Sequence, residues 1–188
     1  VSSRSARTRS ALLDAAERLV ERDGAARLTL EGIADEAGIS KGGLLYHYAS
    51  KDDLIAAMLD RRFAGFDAAL RTELAAEPPA PGAHLRAWLR ATAAEEGPEA
   101  AAGLLAAVAR NRDLLRPLQE RYAAWQEELE ANSGLSPAGA TLLRLVADGL
   151  WMSELLGFAP PENGLKKDVL ELAHQLSHST ALGESSRD

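Results

Sequence analysis

The feature that most limits what this chain can fold into is a glycine set between two short apolar stripes. The stretch from Thr29 to Leu54 reads TLEGIADEAGISKGGLLYHYASKDDL. Leu30, Ile33, Ala34 and Ala37 recur at i, i+3, i+4 and i+7, the spacing of one helical face. Thr29 stands where an N-cap belongs, and Glu31 falls in the first turn, where the helix dipole favours an anion. Gly38 stops that helix, because the tight turn needs a residue that tolerates positive φ. Ser40 then caps a second short helix over Lys41 to Tyr48. Helix, glycine turn and second helix make a helix-turn-helix, whose second helix is free to enter a major groove.

The second helix carries two adjacent glycines, Gly42 and Gly43. Each costs roughly 1 kcal/mol against alanine in a helix interior. A helix this short gains from them when another body must approach its backbone. The alternative is that they serve helix–helix packing. Leu44 and Tyr48, four apart, are expected to face the first helix. Lys41, Gly42, Tyr46 and His47 then face outward, offering a cation, bare backbone, a phenol and an imidazole to phosphates and base edges.

The pattern I-A-x-x-A-G-I-S-K-G-x-L, an aromatic run, then S-K-x-x-L resembles the DNA-binding domain of tetracycline-repressor (TetR) family regulators. The resemblance spans about residues 7–58. It implies DNA contacts by Thr29, Lys41, Tyr46, His47 and Lys51, with Ser40, Gly42 and Gly43 in the same face. The chain departs from the family at Leu44-Leu45-Tyr46-His47-Tyr48: Leu45 takes the first aromatic slot, which shifts a phosphate-contacting tyrosine to Tyr46. Gly38-Ile39-Ser40-Lys41-Gly42 also fits the G-x-S-x-G elbow of hydrolases. That motif needs a buried strand before it, and the preceding residues have helical periodicity.

Helices are expected over 10–23, 51–76, 84–96, 98–112, 115–131, 137–156 and 163–179, giving about nine in an all-α chain. Residues 1–9 are expected to form a polar arm, and Glu77 to Ala83 a proline-rich loop. Residues 1–50 are expected to form the DNA-binding domain and 51–188 a ligand-binding and dimerisation domain, linked by helix 51–76. The second half of helix 137–156 is apolar on more than one face, which predicts burial on two sides. A homodimer through helices 137–156 and 163–179 follows, as the resemblance also implies. Such a dimer should read a pseudo-palindromic operator.

Net charge is −7. Residues 1–52 hold eight Lys/Arg and eight Asp/Glu, so all of the excess acid lies beyond them. DNA binding requires a local basic patch rather than a basic protein. The chain has no cysteine and no 18-residue apolar run, which fits a cytoplasmic protein without membrane spans. His174 and His178 stand four apart, but no third ligand accompanies them, so no metal or cofactor is expected. Phe63, Phe66, Trp88, Val108, Tyr122, Trp125, Trp151 and Met152 lie on the later helices. Each suits a core. Together, and with the resemblance, they are expected to line a pocket for a small, mostly apolar effector. The expected function is a repressor that such an effector releases from DNA. The alternative is a regulator with no small-molecule effector, gated by a protein partner or constitutive.

Overall fold

The computed structural model describes residues 3–94, 98–109 and 111–178. Among them are nine α-helices, one 3-10 turn and no strand. They are α1 Ser3–Asp23, the turn Ala25–Arg27, α2 Leu30–Glu36, α3 Lys41–His47, α4 Lys51–Ala76, α5 Ala83–Ala93, α6 Pro98–Val108, α7 Arg112–Asn132, α8 Pro137–Leu156 and α9 Leu165–Leu176. The hydroxyl caps expected at Thr29 and Ser40 are formed, and Ser50 and Ser136 cap α4 and α8 in the same way. Thr29, Ser40, Ser50 and Ser136 accept from the amides of Gly32, Gly43, Asp53 and Gly139 at 3.0–3.1 Å. No helix among the described residues is long and apolar enough to cross a membrane.

The expected polar arm over 1–9 needs correction. From Ser3 onward it is the start of α1, and residues 1 and 2 lie outside the described residues. A helix does not need an apolar stripe in every turn when local contacts support it. Thr8 Oγ1 donates to the Arg4 carbonyl at 3.1 Å, and the Arg9 guanidinium sits 5.0 Å from the centre of the Tyr48 ring. α7 begins at Arg112 rather than near 115, because the Asn111 side chain caps it by accepting from the Asp113 amide at 3.0 Å. α5 ends at Ala93 and α9 at Leu176, short of the expected 96 and 179; residues 95–97 and 179 lie outside the described residues.

Packing divides the chain into two compact units, one from ranges 1–63 and 97–118, the other from 64–96 and 119–188. The unit that holds the helix-turn-helix is therefore larger than the segment 1–50. In it Leu12, Ile33, Leu44, Leu54 and Met58 are fully buried, each contributing about 1.5–3 kcal/mol. Leu104 and Val108 of α6 and Leu114 of α7 join the same core. Arg61 of α4 holds α1 by pairing with Asp14 and Glu17. Those two carboxylates are thereby neutralised within the unit.

In the second unit α5 packs on α8. Its core includes Leu85, Trp88, Leu89, Trp125, Leu129, Leu143 and Ala147. A buried ionic knot sits among these helices. Arg86, 3% exposed, donates to Glu77 Oε2 at 2.9 Å and to the Pro81 carbonyl at 3.0 Å. It also lies 3.4 Å from Ser177 Oγ, just past the end of α9. Arg90 pairs with both Glu73 and Glu77 at 2.6 Å. Burial alone would raise the Glu77 carboxyl, but hydrogen bonds from Arg86 and Arg90 outweigh it and hold the group below its usual range.

Candidate nucleic-acid interface

The turn between α2 and α3 is built as the sequence implies. Gly38 has φ +66°, its amide donates to the Asp35 carbonyl at 3.1 Å, and the Ile39 amide donates to the Ala34 carbonyl at 2.9 Å. These bonds satisfy the last carbonyls of α2 and fix where α3 starts. Leu44 of α3 and Tyr48, which caps its C-terminal end, are buried at 0% and 3% exposure. That leaves Lys41, Gly42, Leu45 and Tyr46 exposed on the opposite side, with His47 half-buried. Tyr46 is 84% exposed, and its ring meets that of His47 edge-on at 5.1 Å.

The expected DNA residues divide by what each group already does. Thr29 and Ser40 are exposed, but their hydroxyls accept cap hydrogen bonds. Lys51 is half-buried and donates to the Ala25 carbonyl at 3.3 Å, so its ammonium is anchored to the 3-10 turn. Lys41 pairs with Glu31, and that hydrogen bond holds the Glu31 carboxyl below its usual range. A phosphate arriving at Lys41 competes with this carboxylate. Glu36 similarly engages Arg18 at 2.9 Å and Arg22 at 3.5 Å. The local cations are largely paired, so the surface attracts DNA with modest strength.

The two glycines separate clearly. A Cβ on Gly43 would lie 2.9 Å from Ile39 Cγ2 and 3.3 Å from Ser40 Oγ, so packing and the cap account for this residue from inside the protein. A Cβ on Gly42 would meet nothing within 4 Å. Its bareness faces outward. Gly42→Ala should therefore stabilise the protein by up to about 1 kcal/mol of helix propensity and raise its melting temperature. The same change should weaken DNA binding roughly tenfold, a penalty near 1.4 kcal/mol. Gly43→Ala should lower the melting temperature instead. Thermal denaturation beside gel-shift titration separates the two, and equal behaviour of the two variants refutes the assignment.

The eight expected ligand residues are divided between the two units. Phe66, Trp88, Tyr122 and Trp125 do meet, in the second unit. Ring centres of Phe66 lie 4.8 Å from Trp88 and 4.9 Å from Trp125, and Tyr122 lies 5.2 Å from Trp125. Trp125 Nε1 donates to Asp67 at 2.9 Å, and Asp67 also pairs with Arg121. Beside the rings lies a cleft of about 230 Å³, bordered by Leu70, Arg71, His84, Trp88, Trp125 and Glu128. Val108 is 1% exposed in the core of the other unit, where Phe63 also packs. Helical spacing marks an apolar face without saying which partner covers it. Trp151 borders a small cleft together with Leu89 and Leu170, and Met152 is 38% exposed.

A second, open groove of about 730 Å³ runs along α5 and α9 past Arg86, Arg90, Lys166, Lys167 and His174. Most of its cations are engaged: Arg86 and Arg90 as above, and Lys166 with Glu154 at 2.8 Å. His174 and His178 meet ring to ring at 5.0 Å. No group of three His, Cys, Asp or Glu among the described residues could hold a metal.

Two family models match the chain. Residues 12–58 match the bacterial regulatory proteins of the tetR family, and residues 82–178 match the tetracyclin repressor-like C-terminal domain. A curated relative, the HTH-type transcriptional regulator TtgR of Pseudomonas putida, is 42% identical over 53 residues, 28% of this chain. That match spans a quarter of TtgR's length. A TetR family member from Streptomyces coelicolor A3 superimposes with a TM-score of 0.69 at 27% identity, covering 90% of this chain and 97% of the other. The multidrug binding protein EbrR, complexed with ethidium, gives 0.65 at 30% identity, over 90% and 98%. The helix-turn-helix, the all-α architecture and these matches agree: the chain belongs to the TetR family of DNA-binding transcriptional regulators, which are not enzymes.

Proposed function

We propose that this regulator is a repressor that binds a pseudo-palindromic operator as a homodimer and leaves it when a small aromatic effector binds its second unit. The contact of Phe66, Trp88, Tyr122 and Trp125 beside an open cleft carries the effector reading. Structures of EbrR with ethidium and with malachite green support it, since both ligands are aromatic dyes. The cleft borders revise the expected ligand. Arg71, His84 and Glu128 stand around an aromatic floor, so a flat ring system with polar substituents suits it better than a purely apolar molecule. Phe66 and Asp67 lie on α4, which continues without a break to Lys51. A ligand that favours one position of α4 shifts the DNA-binding equilibrium by its difference in affinity for the two states, and by no more.

The homodimer rests on α8 and α9. Leu142, Leu145, Met152 and Leu156 are exposed at helical spacing on α8, opposite its buried Ala140, Leu143 and Ala147. Leu165 and Leu172 are exposed on α9. A stripe of this length on two adjacent helices supports an interface with a second copy.

All three tryptophans lie in the second unit, so quenching of their fluorescence reports ligand entry there. Planar aromatic compounds that quench should also release a duplex selected by the protein in a gel shift. Quenching ligands that leave DNA binding unchanged would refute effector control. One observation favours the alternative of no effector: Trp88 and Trp125 are 2% and 6% exposed and pack against each other at 5.4 Å. A ligand must therefore part or border the rings, and Trp88→Ala should change its affinity in either case.

A further inference from the structure

Leu45 is the one aliphatic side chain on the outward face of α3. It is 40% exposed, while its neighbour Leu44 is fully buried. It is also absent from the side chains packed against the core. Lys41 precedes it by four residues and Gly42 by three, so it stands one turn further along the same face. Gly42 raises no side chain to wall it off. Tyr46 follows at 84% exposure. Leu45 therefore occupies the middle of the surface that α3 presents, between a cation and a phenol.

A leucine there has no hydrogen bond to offer a phosphate or a base edge. In the major groove the apolar feature within reach is the C5-methyl group of thymine, which alone distinguishes that base by an apolar contact. We propose that Leu45 packs on the C5-methyl of a thymine in the operator half-site and so sets a thymine preference at that position. The inference rests on α3 being the element that meets DNA, and it adds a base-reading residue to that surface. Lys41 and Tyr46 then supply binding strength around an apolar reading point.

Duplexes selected by the full chain from a random pool give the test. Each thymine of the selected half-site is replaced by deoxyuridine, which removes the methyl group and nothing else. Wild type should lose about fourfold at one thymine, the value of about one buried methyl group. Leu45→Ala should bind the thymine and deoxyuridine duplexes equally. Its melting temperature should match wild type, since the side chain lies outside the core. Deoxyuridine tolerated by wild type at every position overturns the proposal, as does an equal loss in wild type and L45A. A selection that returns no preferred duplex overturns it too, because a surface that reads no base holds no thymine. Tyr46→Ala separates the two levels: weaker binding to every duplex shows that α3 meets DNA even where the Leu45 assignment fails.

Discussion

Arg86→Ala is expected to destabilise the protein by about 3 kcal/mol, the low end of the penalty for breaking a buried ion pair, because Glu77 keeps Arg90 as its one remaining cation. Arg86 is 3% exposed and the Glu77 side chain 9%, so water does not replace the lost guanidinium. The Pro81 carbonyl and Ser177 hydroxyl lose a donor in the same stroke. Replacing both members, as Arg86→Leu with Glu77→Leu, should cost far less than Arg86→Ala alone, since no isolated charge remains. Chemical denaturation of the two variants and wild type makes the comparison, and a mild Arg86→Ala phenotype rules out the knot as a stabilising element. The pH dependence has a definite sign. The Glu77 carboxyl is held below its ordinary 4.5 in the folded protein, so its contribution is complete above that pH. It is lost as pH falls further, through the folded value. Glu77→Gln should flatten that acid limb.

Leu145→Glu is expected to separate the proposed dimer and weaken operator binding by about 10²–10⁴, the advantage that linking two DNA-reading heads confers. Leu145 is 53% exposed in the protomer, so the protomer itself should keep its circular dichroism and melting transition. A glutamate placed in the stripe of Leu142, Met152 and Leu156 becomes a buried charge on association. Sedimentation velocity at micromolar concentration reads the oligomeric state directly. A variant that still sediments as a dimer excludes this face of α8 from the interface.

The helix-turn-helix was legible because local chemistry alone determines it. Thr29, Gly38 and Ser40 each satisfy a backbone group a few residues away, and no distant partner is required. The helical state of Ser3–Arg9 was hidden because its support comes from the Arg4–Thr8 pair and from Arg9 against the distant Tyr48, not from an apolar stripe. The ligand residues were legible as apolar, but the unit each one joins was not. Val108 and Trp88 have the same apolar character and opposite destinations, and only tertiary packing assigns them. Lys51 shows the limit for polar residues. Its charge was evident from its identity, its hydrogen bond to Ala25 was not. The ionic knot around Arg86 joins side chains up to 91 positions apart, beyond the reach of any spacing rule.

The first unit is assembled from two stretches of chain with an inserted segment between them. A Cβ on Gly103 of α6 would lie 2.8 Å from Val20 Cγ1 and 3.3 Å from the Ala25 amide, so α6 comes very close to the end of α1 and the turn behind it. A nascent chain that has reached residue 63 therefore displays Val20 with its cover still unmade. At about 5–20 residues per second the ribosome needs roughly 3–11 seconds to supply the remainder up to residue 118. During that interval the apolar back of the reading head is open to chaperones or to another nascent chain. The same dependence bears on recombination. A head exchanged between relatives at the end of residue 58 arrives without α6, and the recipient's α6 must already offer a glycine-sized approach to its α1.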